Sequence, residues 1–462
     1  MRILLVSYDN GSYVHFFPQG LGYIAAALKK EGHQVAIYSQ DYNHYPDEHL
    51  TSHLDRNSYD IVGVSIIAGY YQYRKLLKIS DAINKSKNRP FYILGGHGPS
   101  PEPEYFLRKT SADAAVIGEG EATINELVSA IGGRKPLGGI KGIAFRSGDT
   151  VTVNERRPLI EDVDNLPMPE YGLFPMGYYR MLRMPHAQSN DLVMPLLSGR
   201  GCTFECTFCY RMDKGFRPRS SESIIDEIKF LKEQYGVTYI AFSDELLMSS
   251  VERTVMLCES FIKKDLGIKW WCNGRLNYAR PEVLGLMKRS GCVFINYGIE
   301  AMDNHVLKMM KKGLTTDMII KGIEATLKAE ISPGLNIMFG NIGDNKDTMG
   351  KAVEFLLKYD DHAQLRTIRP VTPYPGSPLY YYAIEKGLLK DCADFYENKH
   401  VNSDLPSVNF TDLSEQEYLG CLLDANKRLI KEYYGRKLSD SMDQVNKLYL
   451  EKDANFRGFR QT

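Results

Sequence analysis

The chain has 462 residues, 43% of them hydrophobic and 25% charged, which gives room for two or three domains of ordinary globular composition. Lys+Arg and Asp+Glu balance at 57 each, so the basic excess of a nucleic-acid binder is missing. No apolar run approaches the roughly 18 residues of a membrane span. The opening MRILLVSYDNGS reads as a strand and loop rather than a signal peptide, so the expected location is cytoplasmic, with no nucleic acid and no membrane span.

In chain order, Ile3–Ser7 is a short apolar strand, Gly20–Lys30 is helical in spacing and residue type, and Gly32 ends that helix. Strands follow at Val35–Tyr38, Asp60–Ser65, Phe91–Gly95 and Ala114–Ile117, with a helix from near Ala122. Strands alternating with helices predict a doubly wound, Rossmann-like parallel sheet over residues 1–135, with ligands at the carboxyl ends of its strands. Residues 136–190 read as a linker holding a small strand pair, GIAFRSGDTVTV, before the proline-rich Leu166–Pro169. Alternation resumes over 191–384, with strands expected at Met194–Leu197, Thr238–Ser243, Trp270–Cys272, Phe294–Gly298, Leu335–Gly340 and Leu365–Pro370. Six such units predict a partial (β/α)6, TIM-like barrel whose site faces the strand C-termini. Residues 385–462 read as mostly helical. The fold class is therefore α/β.

Eight cysteines are present, and three of them fall within eight residues, in Ser198-Gly-Arg-Gly-Cys202-Thr-Phe-Glu-Cys206-Thr-Phe-Cys209-Tyr210. The other five are scattered, which is not the layout of a disulfide-stapled secreted protein, and they read as buried thiols. Cys272 and Cys292 lie nearest the expected active face. Three thiolates at this spacing can converge on one iron–sulfur cube and leave one iron open to a small molecule. A structural zinc site wants a fourth protein ligand, and no histidine or cysteine follows within 40 residues.

C-x3-C-x-Φ-C, with Phe208 before the last cysteine, resembles the signature of the radical S-adenosylmethionine (SAM) superfamily. That resemblance implies a 4Fe-4S cluster on Cys202, Cys206 and Cys209. It also implies SAM chelated by the open iron, cleavage to a 5′-deoxyadenosyl radical, an oxygen-poor setting, and an external electron donor of flavodoxin or ferredoxin type. Asp244 and Glu245 close the second barrel strand where the family carries an acidic pair, and they read equally well as a solvated strand end. Gly298-Ile-Glu300-Ala resembles the family's GIES segment, whose glutamate lies near SAM. Gly340-Asn-Ile-Gly343-Asp344 departs from G-[LI]-P-G-E, lacking the proline and shortening the acid. Thr372-Pro-Tyr-Pro-Gly376-Ser resembles P-x-P-G-T. Arg275, after the third strand, fits a carboxylate of SAM or substrate, or an ordinary salt bridge.

A doubly wound sheet ahead of such a barrel resembles the module of cobalamin (B12)-dependent members. Ser65-Ile-Ile67 resembles its S-x-L element, and Gly95-Gly96 follows after 27 residues. A small hydroxyl and two glycines at strand ends let a nucleotide tail approach the backbone. The D-x-H-x-x-G motif that supplies a lower cobalt ligand elsewhere is missing from Tyr8–His15, which leaves His15 as a candidate ligand. The resemblance implies C-methylation of an unactivated sp3 carbon of a small-molecule or peptide substrate. One SAM would methylate cobalamin and a second would be cleaved to the radical. Cyclisation or oxidative rearrangement on the same architecture is the rival expectation, and a non-catalytic sensor a remote one.

Overall fold

The computed structural model describes residues 1–212 and 214–452, so the last part of the expected helical segment, 453–462, lies outside the described residues. Five parallel strands open the fold: β1 (Arg2–Ser7), β2 (Gln34–Ser39), β3 (Ile61–Ser65), β4 (Phe91–Gly95) and β5 (Ala114–Val116). They stand in the order β2-β1-β3-β4-β5. Successive residues of β1 feed opposite cores, with Ile3 and Leu5 on one face and Leu4 and Val6 on the other. A strand covered by helices on both faces is apolar throughout rather than alternating.

The strand pair expected in the linker forms β6 (Ile143–Ser147) and β7 (Thr150–Val153), and it does not stand apart. β6 pairs antiparallel with β5, extending the first sheet to seven strands. The edge of β5 is thereby covered, as an exposed edge strand requires.

The second sheet begins at β8 (Val193–Leu196). A short antiparallel hairpin, β9 (Gly199–Cys202) and β10 (Gly215–Pro218), interrupts the succession. Then come β11 (Tyr239–Phe242), β12 (Lys269–Gly274), β13 (Cys292–Glu300), β14 (Ser332–Phe339) and β15 (Arg369–Pro370). The order β15-β14-β13-β12-β11-β8 is sequential and parallel, the topology of a six-stranded half-barrel. Ile240, Phe242, Trp270 and Cys272 face the surrounding helices, while Tyr239, Ala241, Trp271 and Phe294 line the inner face.

β15 is shorter than the expected Leu365–Pro370. Its backbone is diverted to a side chain: Asn426 accepts from the Ile368 N–H at 2.8 Å and donates to the Ile368 carbonyl at 3.0 Å. Asn426 lies in the long helix Glu415–Tyr449, which thus covers the open edge of the half-barrel. The helix's Tyr418 hydroxyl adds a bond to the Phe339 carbonyl at 2.9 Å.

Both sheets share one hydrophobic core, continuous from Ile3 and Leu127 through Tyr171 and Phe174 to Ile228 and Ile240. Among the described residues no helix is long and apolar enough to cross a membrane.

Candidate active site between the two sheets

Loops at the carboxyl ends of both sheets meet. After β1, the Gln19 side-chain Oε1 accepts from Ser243 Oγ at 2.7 Å, just past β11. After β4, His97 lies edge-on to Tyr210, the residue following Cys209, with centroids 6.3 Å apart. Gly376, past β15, adopts φ +88°, and a Cβ there would stand 2.5 Å from the Tyr210 ring and 2.6 Å from Pro101. Glycine is required because the cluster loop and the first sheet converge on that point.

The cysteine segment starts at the end of β9 and is held at several places. Thr207 N–H donates to the Met310 carbonyl at 3.0 Å, and its own carbonyl accepts from Leu379 N–H at 2.8 Å. Cys206 and Cys209 are hydrogen-bonded through sulfur, and Cys202 lies within electrostatic reach of Cys206. Burial pushes the Cys202 thiol up. The Cys209 thiol bonded to Cys206, with Lys312 and Arg275 nearby, draws Cys206 down.

Two buried cations flank this loop. The Arg275 guanidinium lies 3.4 Å from the centroid of Phe204 and donates to Cys206 Sγ at 3.7 Å. It also donates to the Lys312 carbonyl. Lys312 itself is 6% exposed, sits 5.7 Å from the centroid of Phe208, and pairs with Glu300 at 2.8 Å. Three thiols with two adjacent cations suit an anionic iron–sulfur cube.

Glu300 turns inward at φ +71°, where β13 and β14 shift register. Room for its carboxylate comes from Gly298, whose Cβ would lie 2.2 Å from Glu300 Oε1. The structure therefore brings Glu300, Arg275 and Phe208 to the cysteines. Glu245 is exposed and acts electrostatically on Cys202.

Asp244 has a different position. It is 4% exposed, and its two oxygens accept from Ser198 N–H at 2.9 Å and Ser198 Oγ at 2.8 Å. That arrangement ties β11 to β8. Asp344 is likewise occupied, by Gly340 N–H, Asn341 N–H and the Thr348 hydroxyl, ahead of the helix Lys346–Tyr359.

On the first sheet, register places Ser65 opposite Gly95. Gly96 has φ +91°, and a Cβ there would lie 2.4 Å from the Ile66 carbonyl and 2.8 Å from Ser65 Oγ. Ile67 beside them is 55% exposed, an apolar side chain at the open strand edge. A bare backbone at two adjacent strand ends is the cradle a corrinoid tail would need. His15 has no ring nitrogen to offer a metal. Its Nε2 accepts from Asn10 N–H at 3.0 Å, and its Nδ1 bonds the Tyr178 hydroxyl at 2.6 Å.

Lys312 was not visible as a site residue in the sequence. It stands in the run Lys308-Met-Met-Lys-Lys-Gly313, which reads as an ordinary charged turn. Nor did the sequence single out Phe204 or the acidic loop Gly118–Glu121 as partners of the cysteine hairpin.

Comparison with known proteins supplies the family. The radical SAM superfamily model matches residues 196–356, and the B12 binding domain model matches residues 12–128. An uncharacterised methyltransferase of Pyrococcus horikoshii is 30% identical over 80% of this chain and 79% of its own length. The anaerobic magnesium-protoporphyrin IX monomethyl ester cyclase of Rubrivivax gelatinosus is 26% identical over 82% and 69%. Among solved structures, the radical SAM methyltransferase TsrM of Kitasatospora setae, with cobalamin and a 4Fe-4S cluster bound, superposes with TM-score 0.72. It covers 92% of this chain and 88% of that one at 17% identity, a likeness of fold.

The matched domains and the fold define a radical enzyme of the α/β class. The chain belongs to the cobalamin-dependent radical SAM family, and its cofactors are SAM, a 4Fe-4S cluster and cobalamin.

Proposed function

We propose that this enzyme transfers a methyl group to an unactivated sp3 carbon of a small-molecule or peptide substrate held between the two sheets. The observation that carries the reading is the contact of His97 and Pro101 with Tyr210 and Gly376, which sets the two strand-end faces against one another. When bound, the cluster and SAM supply a hydrogen-abstracting radical, and cobalamin supplies the methyl group.

The chain's own residues then have distinct tasks. Cys202, Cys206 and Cys209 are the cluster ligands. Arg275 and Lys312 balance the negative charge of that site, and Phe204 and Phe208 give each cation an aromatic face. Glu300, held by Lys312 through one carboxylate oxygen, would help to hold SAM beside the cluster. Glu245 adds a carboxylate near Cys202. Asp244 serves this site by fixing the strand ends that present it. Ser65, Ile67, Gly95 and Gly96 receive the corrinoid, residues 1–135 forming its module and 191–384 the half-barrel. An external flavodoxin- or ferredoxin-type protein supplies electrons.

A second reading has one observation in its favour: the relative named as a cyclase resembles this chain over most of its length. Product analysis separates the two. Methyl transfer yields S-adenosylhomocysteine and 5′-deoxyadenosine in step with a product carrying one added methyl group. Deoxyadenosine with no S-adenosylhomocysteine would assign the chain to cyclisation or rearrangement.

A further inference from the structure

The hairpin that leads into the cluster loop carries two arginines in direct opposition. Register places Arg200 on β9 across from Arg217 on β10. Like charges in that position repel, and these two side chains are only 16% and 14% exposed.

Opposing charge comes from the first sheet, in the loop Gly118-Glu-Gly-Glu121 after β5. Glu119 bridges the pair, its Oε1 accepting from Arg200 and its Oε2 from Arg217, each at 2.8 Å. Oε2 also accepts from Ile160 N–H at 2.7 Å. Glu121 takes the second Arg200 nitrogen at 2.5 Å, and the Tyr23 ring lies 5.3 Å from the Arg200 guanidinium. Both glutamates are under a tenth exposed at the side chain.

The same loop is tied to the glycine cradle. Gly118 N–H donates to Ser100 Oγ at 3.3 Å, and Ser100 Oγ donates to the Gly96 carbonyl at 2.7 Å. A continuous path of bonds therefore runs from Gly96 through Ser100, Glu119 and Arg200 to Cys202, two residues further along β9. Buried ion networks add little net stability over apolar contacts of the same size, but they are directional, and a fork of guanidinium on carboxylate admits one register.

We propose that Ser100, Glu119, Glu121 and Arg200 are positioning residues that lock the cluster hairpin to the corrinoid cradle and so set the spacing and orientation of the two cofactors. They act through the hairpin and the cradle. Nothing in the sequence resemblance assigns the acidic loop this part.

The test uses full-length holoenzyme with the cluster reduced and the corrinoid in its Co(II) state, both paramagnetic. Pulsed electron paramagnetic resonance reads the interaction between them. Arg200→Lys keeps the charge and loses the fork; Ser100→Ala breaks the path with no charge change; the pair Glu119→Gln and Arg200→Gln together removes both charges. The expected result is full iron and corrinoid content with a shifted or broadened distance distribution. Deoxyadenosine released per substrate converted should rise roughly twofold to thirtyfold, the range over which single residues move such couplings.

An unchanged distribution with an unchanged ratio overturns the proposal. Loss of either cofactor while the remaining one keeps its parent signal also overturns it, because the residues would then serve retention. Should the double variant not fold, Ser100→Ala decides by itself. The distance measurement is independent of which product forms, so failure of the methyltransferase reading leaves it intact.

Discussion

At the scale of single residues, Lys312 and Glu300 carry the sharpest consequence. Their pair is buried, and a buried carboxylate deprived of its cation costs about 3–5 kcal/mol. Lys312→Met should therefore lower stability by that order and weaken SAM binding at least tenfold. Adding Glu300→Gln should restore most of the stability and none of the affinity, which anaerobic denaturation and equilibrium binding would read together. Recovery of affinity in the double variant would remove Lys312 from the site. The three cysteines allow a simpler expectation: Cys202→Ala loses cluster iron by elemental analysis and retains corrinoid in its absorption spectrum. Legibility at this scale followed chemistry. The cysteines and Glu300 sit in dense local motifs, whereas Lys312 stands in a plain charged run and meets Glu300 only through the tertiary fold. Asp244 and Asp344 show the converse. Each stands where the family pattern puts an acid, and each has its oxygens occupied by neighbouring backbone and hydroxyl groups. The partner of Asp244 comes from the end of another strand, which a linear sequence does not show, whereas those of Asp344 lie within four residues of it.

Elements were legible where periodicity was strong. β1 and the half-barrel strands follow their apolar runs because burial on both faces enforces them. Where expectation and structure part, a tertiary partner intervened. β6 and β7 read as a detached pair, yet β5 is only three residues long and needs a neighbour on its open side. β15 is cut short because Asn426 takes over the Ile368 backbone. Asn426→Ala leaves both of those backbone groups without their partner, at about 1–3 kcal/mol, and faster amide exchange around Ile368 should report it. Gly96→Val belongs to this scale as well. A branched side chain at φ +91°, 2.4 Å from the Ile66 carbonyl, closes the cradle between β3 and β4. The expected protein binds iron normally and fails to retain cobalamin. Retention at parent levels would place the corrinoid elsewhere.

For the whole molecule, the question is what holds the two sheets at one distance while a substrate enters between them. The shared apolar core resists separation but tolerates sliding, because hydrophobic contact has no direction. Directional restraint comes from the charged contacts at the strand ends, and that makes the relation of the sheets sensitive to acid. Burial alone would raise the Glu119 carboxyl. The bonds from Arg217, Arg200 and Ile160 outweigh burial and hold it below its ordinary value of 4.5. A carboxyl with a folded-state value below its unfolded value contributes its full stability above about pH 4.5. That contribution fades as the pH falls through the folded value, because the unfolded chain takes up the proton first. Stability of the parent should therefore decline below pH 4.5 more steeply than that of Glu119→Gln, which has lost the titrating group together with its bonds. The variant should be the less stable of the two at pH 7, and the gap should narrow with acid. Denaturation curves for both proteins at pH 7, 5 and 4 would measure this difference, and a gap that is constant across the three would show that Glu119 is not the acid-sensitive tie.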